Sequence, residues 1–513
     1  MPRGSRALGR LARMRALIIL LFVCSVGCAQ DFEQTWRGER LTIQIRGNAI
    51  GNLTWQLDTL SGHTNTRPKD YEDLWRTDLG WSAEDARQLE QWSSLHARYR
   101  KNKTHGRKAR YIYPPNYARF YGSSVSRDYA FRIAAMNAPD LATLRKTYRK
   151  LCGGTCADSF MKIIEYFLPR FSMWWRQEGS PTARKIIPQL VAKTTDYGLG
   201  ALCESAIRLT AADVSPRHEV VLDVAVHPKK YLTNYTGTTM VNHILIEVVD
   251  DPEVGGPRLP LAIHELTHQF YDFARLSDHK RLVQRFVERP EPYSLAAYSV
   301  LNEALAAAVQ LQAEKKLRSP GDYANFAAGD DNVYFDPFIA KAGRAIVPIV
   351  EERIAARKSV FDNGFVDAYL KAASAALGPL IESPRFLLSS RVLVNWSSGK
   401  RAKDEFNSSV RGMVGLDEWK GFKTSPNLGG VIFLTQGDLN QIHGSGGVVP
   451  PDIAAAVTES ARTHTAFEYA WQRSPKAFVY FLYGSDEERL LMMTKTFSRS
   501  DAAFSGLRLP QTN

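Results

Sequence analysis

The chain has 513 residues, enough for two or three domains, and its 44% hydrophobic and 23% charged residues are ordinary globular proportions. Those values exclude a collagen-like, extensively disordered or multi-pass membrane protein. The formal charge of +13 bears on solubility and association, not on fold.

Arg3, Arg6, Arg10, Arg13 and Arg15 make a basic start, followed by an apolar run over 16–26 (ALIILLFVCSV) too short for a comfortable membrane span. Gly27-Cys28-Ala29 then supplies the small residues that suit signal-peptidase cleavage before Gln30. Residues 1–29 therefore read as a signal peptide, and the mature chain as secreted or periplasmic. A lipobox ending at Cys28 is the other reading, with a lipid anchor there, although Ser25 stands where Leu is expected. Loss of the five arginines lowers the formal charge from +13 to +8.

Three cysteines then remain, Cys152, Cys156 and Cys203, an odd number for an oxidising compartment. C-G-G-T-C lacks the second pair of a zinc ribbon, and a disulfide from Cys203 to either Cys152 or Cys156 is expected. Asn52, Asn102 and Asn234 begin a set of five Asn-x-Ser/Thr sites, relevant only in a glycosylating host.

Residues 30–125 form an N-terminal region in which 41–45 (LTIQI) and 53–57 (LTWQL) read as strands. Ser82 caps a helix there, with Asp85 near the capping-box position and Leu89, Trp92 and Tyr99 on one face. The basic run 98–110 (RYRKNKTHGRKAR) reads as a solvated loop, and no nucleic-acid motif accompanies it. An aromatic loop, YIYPPNYARFYG, follows. Helical spacing covers 138–151 and 160–178, then strands are predicted over 220–226 and 243–249. After the loop DDPEVGGPR comes a helix starting near Pro260. An alanine-rich helix spans 298–314, and further helices span 337–357 and 361–377. The last section, 385–513, has strands at 431–435 and 477–483, each before a helical stretch, and reads as a small α/β region. His443-Gly-Ser-Gly-Gly between them is a flexible loop without the strand-to-helix context of a phosphate site.

His264-Glu265-Leu266-Thr267-His268 spells H-E-x-x-H. On a helix, positions four apart share a face, so two imidazoles can hold one zinc ion, and the glutamate between them can take a proton from the attacking water. Leu261, Leu266, Phe270 and Phe273 make the surrounding helix amphipathic. Hydrolysis needs a third ligand and an open position. Gln269, Phe270 and Tyr271 follow His268, which excludes the short third-histidine spacing of a metzincin. Glu303, in Asn302-Glu303-Ala304-Leu305-Ala306, lies 35 positions beyond His268 on the alanine-rich helix and is the candidate ligand.

On HELTH and NEALA, residues 218–315 resemble the gluzincin zinc metallopeptidases. The resemblance implies zinc on His264, His268 and Glu303, Glu265 as general base, and a peptide or protein substrate. It also implies an edge strand, taken here as 243–249, that receives the substrate backbone. Two departures stand out. Ala307 occupies the position, four past the ligand glutamate, where many gluzincins carry an acid, leaving Asp272 and Asn302 as candidates to support a histidine. The oxyanion donor is open among Tyr369, Tyr334 and His443.

The expected fold is α+β: a mostly helical zincin-like metallopeptidase core with a small sheet over 126–384, between the N-terminal region and the 385–513 α/β region. The expected function is a secreted or periplasmic zinc peptidase. The alternatives are a catalytically inactive zincin-like binding protein of the cell envelope, and an envelope structural protein using 98–110 on anionic surfaces.

Overall fold

The computed structural model describes residues 32–64, 68–100, 103–105, 124–214, 217–228, 237–250, 259–329, 333–334, 336–387, 391–395, 399–409, 415–416, 429–444, 449–497 and 504–509. The expected signal peptide with Cys28, most of the basic run, the aromatic loop, Asn102 and Asn234 lie outside them. The fold is α+β, mostly helical with small sheets. Two compact units divide after Phe273, the first made of 1–207 with 213–273 and the second of 208–212 with 274–513. The expected boundaries at 125 and 384 do not coincide with that division.

The first unit is built on a five-stranded sheet ordered β1-β2-β5-β7-β6, with β1 Phe32–Arg37, β2 Leu41–Gly47, β5 His218–Val226, β6 Gly237–Met240 and β7 His243–Val248. Strands β2, β5 and β7 run parallel, and β1 and β6 close the two edges antiparallel. The N-terminal strands are thus part of the central sheet and not of a separate region. Strand β7 is also interior: the edge belongs to β6, a four-residue strand whose Gly-Thr-Thr-Met sequence carries no apolar alternation. A small hairpin, β3 Lys103–His105 with β4 Ser124–Ser126, stands apart.

Between β2 and β5 the chain inserts helices α1 Ala49–Leu60, α2 Pro68–Thr77, α3 Ala83–Arg100, α4 Arg127–Met136, α5 Leu141–Cys152, α6 Gly154–Trp174, α7 Ser180–Asp196 and α8 Leu199–Leu209. Helix α1 contains 53–57, which the sequence presented as a strand. Its residues from Ala49 to Thr59 are all buried, so no solvent face imposes the 3.6-residue alternation of a surface helix. Its polar side chains find internal partners instead. Asn52 donates to the Val224 carbonyl at 3.0 Å and accepts from Val226 N–H at 2.7 Å, so it is a buried strut and not an accessible glycosylation site. The Trp55 indole donates to Glu247 at 2.9 Å, and the Trp75 indole donates to Gln56 at 3.0 Å. Ser82 and Asp85 cap α3 as expected, with the Asp85 carboxylate accepting from Ser82 N–H and hydroxyl.

The disulfide joins Cys152 to Cys156, correcting the expected bridge to Cys203. Gly153, at φ 91°, turns the chain sharply between α5 and α6 and brings the two cysteines to a Cα separation of 5.8 Å. Cys203 is a free thiol buried on α8, and burial pushes its pKa up to about 12.

One face of the sheet is apolar: Ile43, Ile45, Val220, Leu222 and Ile244 meet α8 and the helix α9 Leu259–Asp272 across a narrow gap. The opposite face holds a buried charged chain. Arg46 Nε donates to Asp223 at 2.9 Å, and the other Asp223 oxygen lies 2.6 Å from His243 Nδ1. This ties β2, β5 and β7 together crosswise to their backbone ladder. Burial would raise the Asp223 pKa, but the Arg46 guanidinium and the His243 ring outweigh it and hold the carboxyl below its usual range.

In the second unit, helices α10 Leu276–Glu288, α11 Ser294–Leu317, α12 Pro320–Ala328, α13 Pro337–Ala355 and α14 Phe365–Leu377 precede the α/β section. Ala307 of α11 packs so closely on Gly343 of α13 that a Cβ at 343 would stand 2.8 Å from its methyl. The C-terminal sheet, ordered β13-β11-β12-β10-β8-β9, has apolar cores on both faces, as expected of an α/β region. Its strands include β8 Arg391–Asn395, β9 Gly415–Leu416, β10 Gly429–Leu434, β11 Ala466–Ser474, β12 Ala477–Gly484 and β13 Gly506–Arg508.

Removing the acid from the buried chain leaves Arg46 with an uncompensated charge. Asp223→Ala should therefore destabilise the protein by about 3–5 kcal/mol in urea unfolding at neutral pH. Because the folded pKa is depressed, the wild-type advantage over this variant is present above the unfolded carboxylate pKa of about 4 and should shrink as the pH falls below it.

Candidate metal centre

Helix α9 begins with Leu259-Pro260, where proline's fixed φ suits the first turn. Its apolar residues Leu259, Ala262, Ile263 and Leu266 face the sheet. That places His264, Glu265 and His268 on another face. His264 is buried, and His268 and Glu265 are half-buried. The two imidazoles turn their Nε2 atoms toward each other at 3.0 Å, with ring planes 82° apart.

The back of the helix is anchored through Gln269. Its side-chain oxygen lies 2.9 Å from His218 Nε2, at the start of β5, and its amide donates to the Val241 carbonyl. Val241 sits in the tight turn between β6 and β7 with φ 60°, a left-handed conformation that strains a β-branched residue. Phe270 and Phe273 pack edge-on against the His218 ring, with centroids 5.4 and 4.8 Å away. Burial pushes the His218 pKa down to about 4, against the weaker raising effect of Gln269.

Strand β6 passes directly over the front of the helix. The Thr239 hydroxyl donates to Glu265 Oε2 at 2.7 Å, and it lies 3.4 Å from the Glu265 carbonyl oxygen. Two residues earlier, on the same strand face, a Cβ on Gly237 would meet Glu265 Cγ at 3.0 Å and Oε1 at 3.1 Å. None of Thr239, Gly237, Gln269 and His218 stood out in the sequence. The one available signal was the 3.6-residue period that puts Gln269 on the buried side of α9.

Glu303 is half-buried in the middle of α11. It belongs to the second unit, whereas His264 and His268 belong to the first. In a tetrahedral site with bonds of 2.0–2.1 Å, neighbouring donors stand roughly 3.3 Å apart, and the 3.0 Å between the two Nε2 atoms is close to that spacing.

Tyr369 is fully buried on α14, donates to the Ala297 carbonyl at 2.8 Å and stacks on Phe365. His443 lies 3.0 Å from the Thr458 hydroxyl in the α/β section. Tyr334 is half-buried against the cluster containing Ala307 and Leu311. Ala307 packs on Gly343, so no acid fits there without displacing α13. Asp272 is exposed at the end of α9, and Asn302 is half-buried on α11.

The chain matches no protein-family model, no curated protein and no solved structure.

His218 generates a pH test. Its folded pKa of about 4 lies below the unfolded value of about 6.5, so the unfolded chain takes up the proton first as the pH falls. Stability should be unaffected by this group above pH 6.5 and should decline between about 6.5 and 4, by up to about 3 kcal/mol. His218→Phe should flatten that part of the urea-unfolding profile relative to wild type.

Proposed function

We propose that the chain is a gluzincin-like, zinc-dependent peptidase in which His264, His268 and Glu303 hold the metal and Glu265 is the general base. The observation that carries this reading is the pair of opposed histidine Nε2 atoms, 3.0 Å apart on the helix that also presents Glu265. Two imidazoles and one carboxylate are a common catalytic zinc set, which supports it.

Zinc bound there would polarise the scissile carbonyl and lower the pKa of water to about 7. The chain's own residues supply the rest. His264 and His268 contribute neutral donors, and Glu303 offsets part of the ion's double charge. Glu265 accepts the proton of the attacking water as the oxygen–carbon bond forms. It then delivers that proton to the amide nitrogen as the carbon–nitrogen bond breaks. The basic start and apolar run at the amino terminus support export, with the lipid anchor at Cys28 as the variant form.

One observation favours a second reading, a metal-holding protein of the cell envelope without turnover. Tyr369, the oxyanion donor nearest by sequence count, is committed to the Ala297 carbonyl.

Zinc analysis and peptide-library digestion separate the two. The wild-type protein should carry about one zinc and cleave peptides, and His264→Ala or His268→Ala should lose the metal. Glu265→Gln should keep zinc and fold while turnover falls by roughly 10²–10⁴-fold. Unchanged turnover in Glu265→Gln would remove the mechanism, and zinc without any turnover in wild type would favour the binding protein. Glu303→Ala should weaken zinc retention and turnover together, whereas Gln310→Ala, two turns along the same helix, should change neither.

A further inference from the structure

A general base on a long, flexible side chain works well only if its carboxylate is held where the water will be. Glutamate has several rotatable bonds, and the backbone of α9 alone leaves them free. In this chain the front of Glu265 is met by the edge strand β6, through two residues on one strand face.

Thr239 supplies a hydroxyl at 2.7 Å from Glu265 Oε2. Threonine is branched at Cβ, so its own χ1 is restricted and the hydroxyl is a stiff donor. The bond occupies Oε2 and leaves Oε1 with its lone pairs for a proton. Gly237 supplies the complementary feature, an absence of side chain. A methyl group there would stand 3.0 and 3.1 Å from Glu265 Cγ and Oε1, so a side chain at 237 would crowd the carboxylate. The strand itself is held from behind, because its turn is tied to α9 by the Gln269 amide on the Val241 carbonyl.

We propose that Thr239 is the positioning residue of the general base, fixing the Glu265 carboxylate in one rotamer against the bare backbone of Gly237. This rests on the reading of Glu265 as the base. Thr239 touches neither water nor substrate in this role, and acts only through Glu265.

The experiment has a metal-free arm and a kinetic arm. In the metal-free protein, urea unfolding of Thr239→Val, Glu265→Ala and the double variant should show less-than-additive losses, because each single change already breaks the same bond. With zinc, Thr239→Val should lower kcat by about tenfold, the scale expected for losing a hydrogen bond to a charged group, while KM and zinc content stay within about twofold. Thr239→Ser, which keeps the hydroxyl, should recover most of the turnover. In the Glu265→Gln background, Thr239→Val should cause no further loss of kcat. Additive losses in the metal-free arm overturn the contact. Unchanged kcat in Thr239→Val, or an equal loss in the Glu265→Gln background, overturns the positioning role. A wild-type chain that loads zinc and cleaves no peptide overturns the peptidase reading, and the role of Thr239 with it.

Discussion

The side-chain amide of Gln269 is the interaction on which the placement of the His264–His268 helix depends. One residue past His268, it faces away from the imidazoles and bridges His218 at the start of β5 and the Val241 carbonyl in the β6–β7 turn. A helix resting on apolar contacts alone can rotate or slide at small cost, because such contacts are non-directional. A buried amide with both of its ends satisfied cannot move without exposing a donor or an acceptor, which costs about 1–3 kcal/mol. The register of α9 against the sheet is therefore set by geometry and not only by area. The same bond steadies Val241 in its left-handed conformation, which turns the chain so that β6 returns over Glu265.

The two faces of the central sheet divide the work. The apolar face gives α9 its bed, through Ile43, Ile45, Val220, Leu222 and Ile244. The opposite face runs a charge network, Arg46 to Asp223 to His243, through three parallel strands. Buried ion pairs add little net stability over apolar packing, but breaking one is expensive. Their effect here is to penalise any slip of β2 against β5 or β7, since a one-residue slip would turn these side chains to the apolar face. Interior strands so locked leave the short β6 as the adaptable edge.

Electrostatically, the anchor and the face of His264 and His268 are kept distinct. His218 stays neutral down to a pH of about 4 because it is buried among Phe270 and Phe273. A neutral ring can keep its bond to the Gln269 oxygen across the pH range in which a peptidase would work, so the anchor does not loosen with ordinary acidity. On the other side of the helix the two Nε2 atoms face each other.

HELTH, its helix, the alanine-rich helix of Glu303, the strands β2, β5 and β7 and the α/β character of the C-terminal section were all legible in the sequence. Each is written in local periodicity or in a short motif, and those signals need no knowledge of distant residues. Helix α1 was misread because a helix buried on every side has no polar face to reveal its period. The Cys152–Cys156 bridge was missed because pairing depends on the turn at Gly153. The edge position of β6 could not be read either, since four residues of Gly-Thr-Thr-Met have no pattern and an edge is a property of the whole sheet. By itself the sequence determined that His264 and His268 share a face of one helix, because spacing along a helix dictates which residues stand together. Only the tertiary structure decided what surrounds that helix: Thr239 and Gly237 against Glu265, Gln269 and His218 behind it. Those partners come from separate stretches of chain, and only the pairing of strands and the packing of α9 on the sheet bring them together.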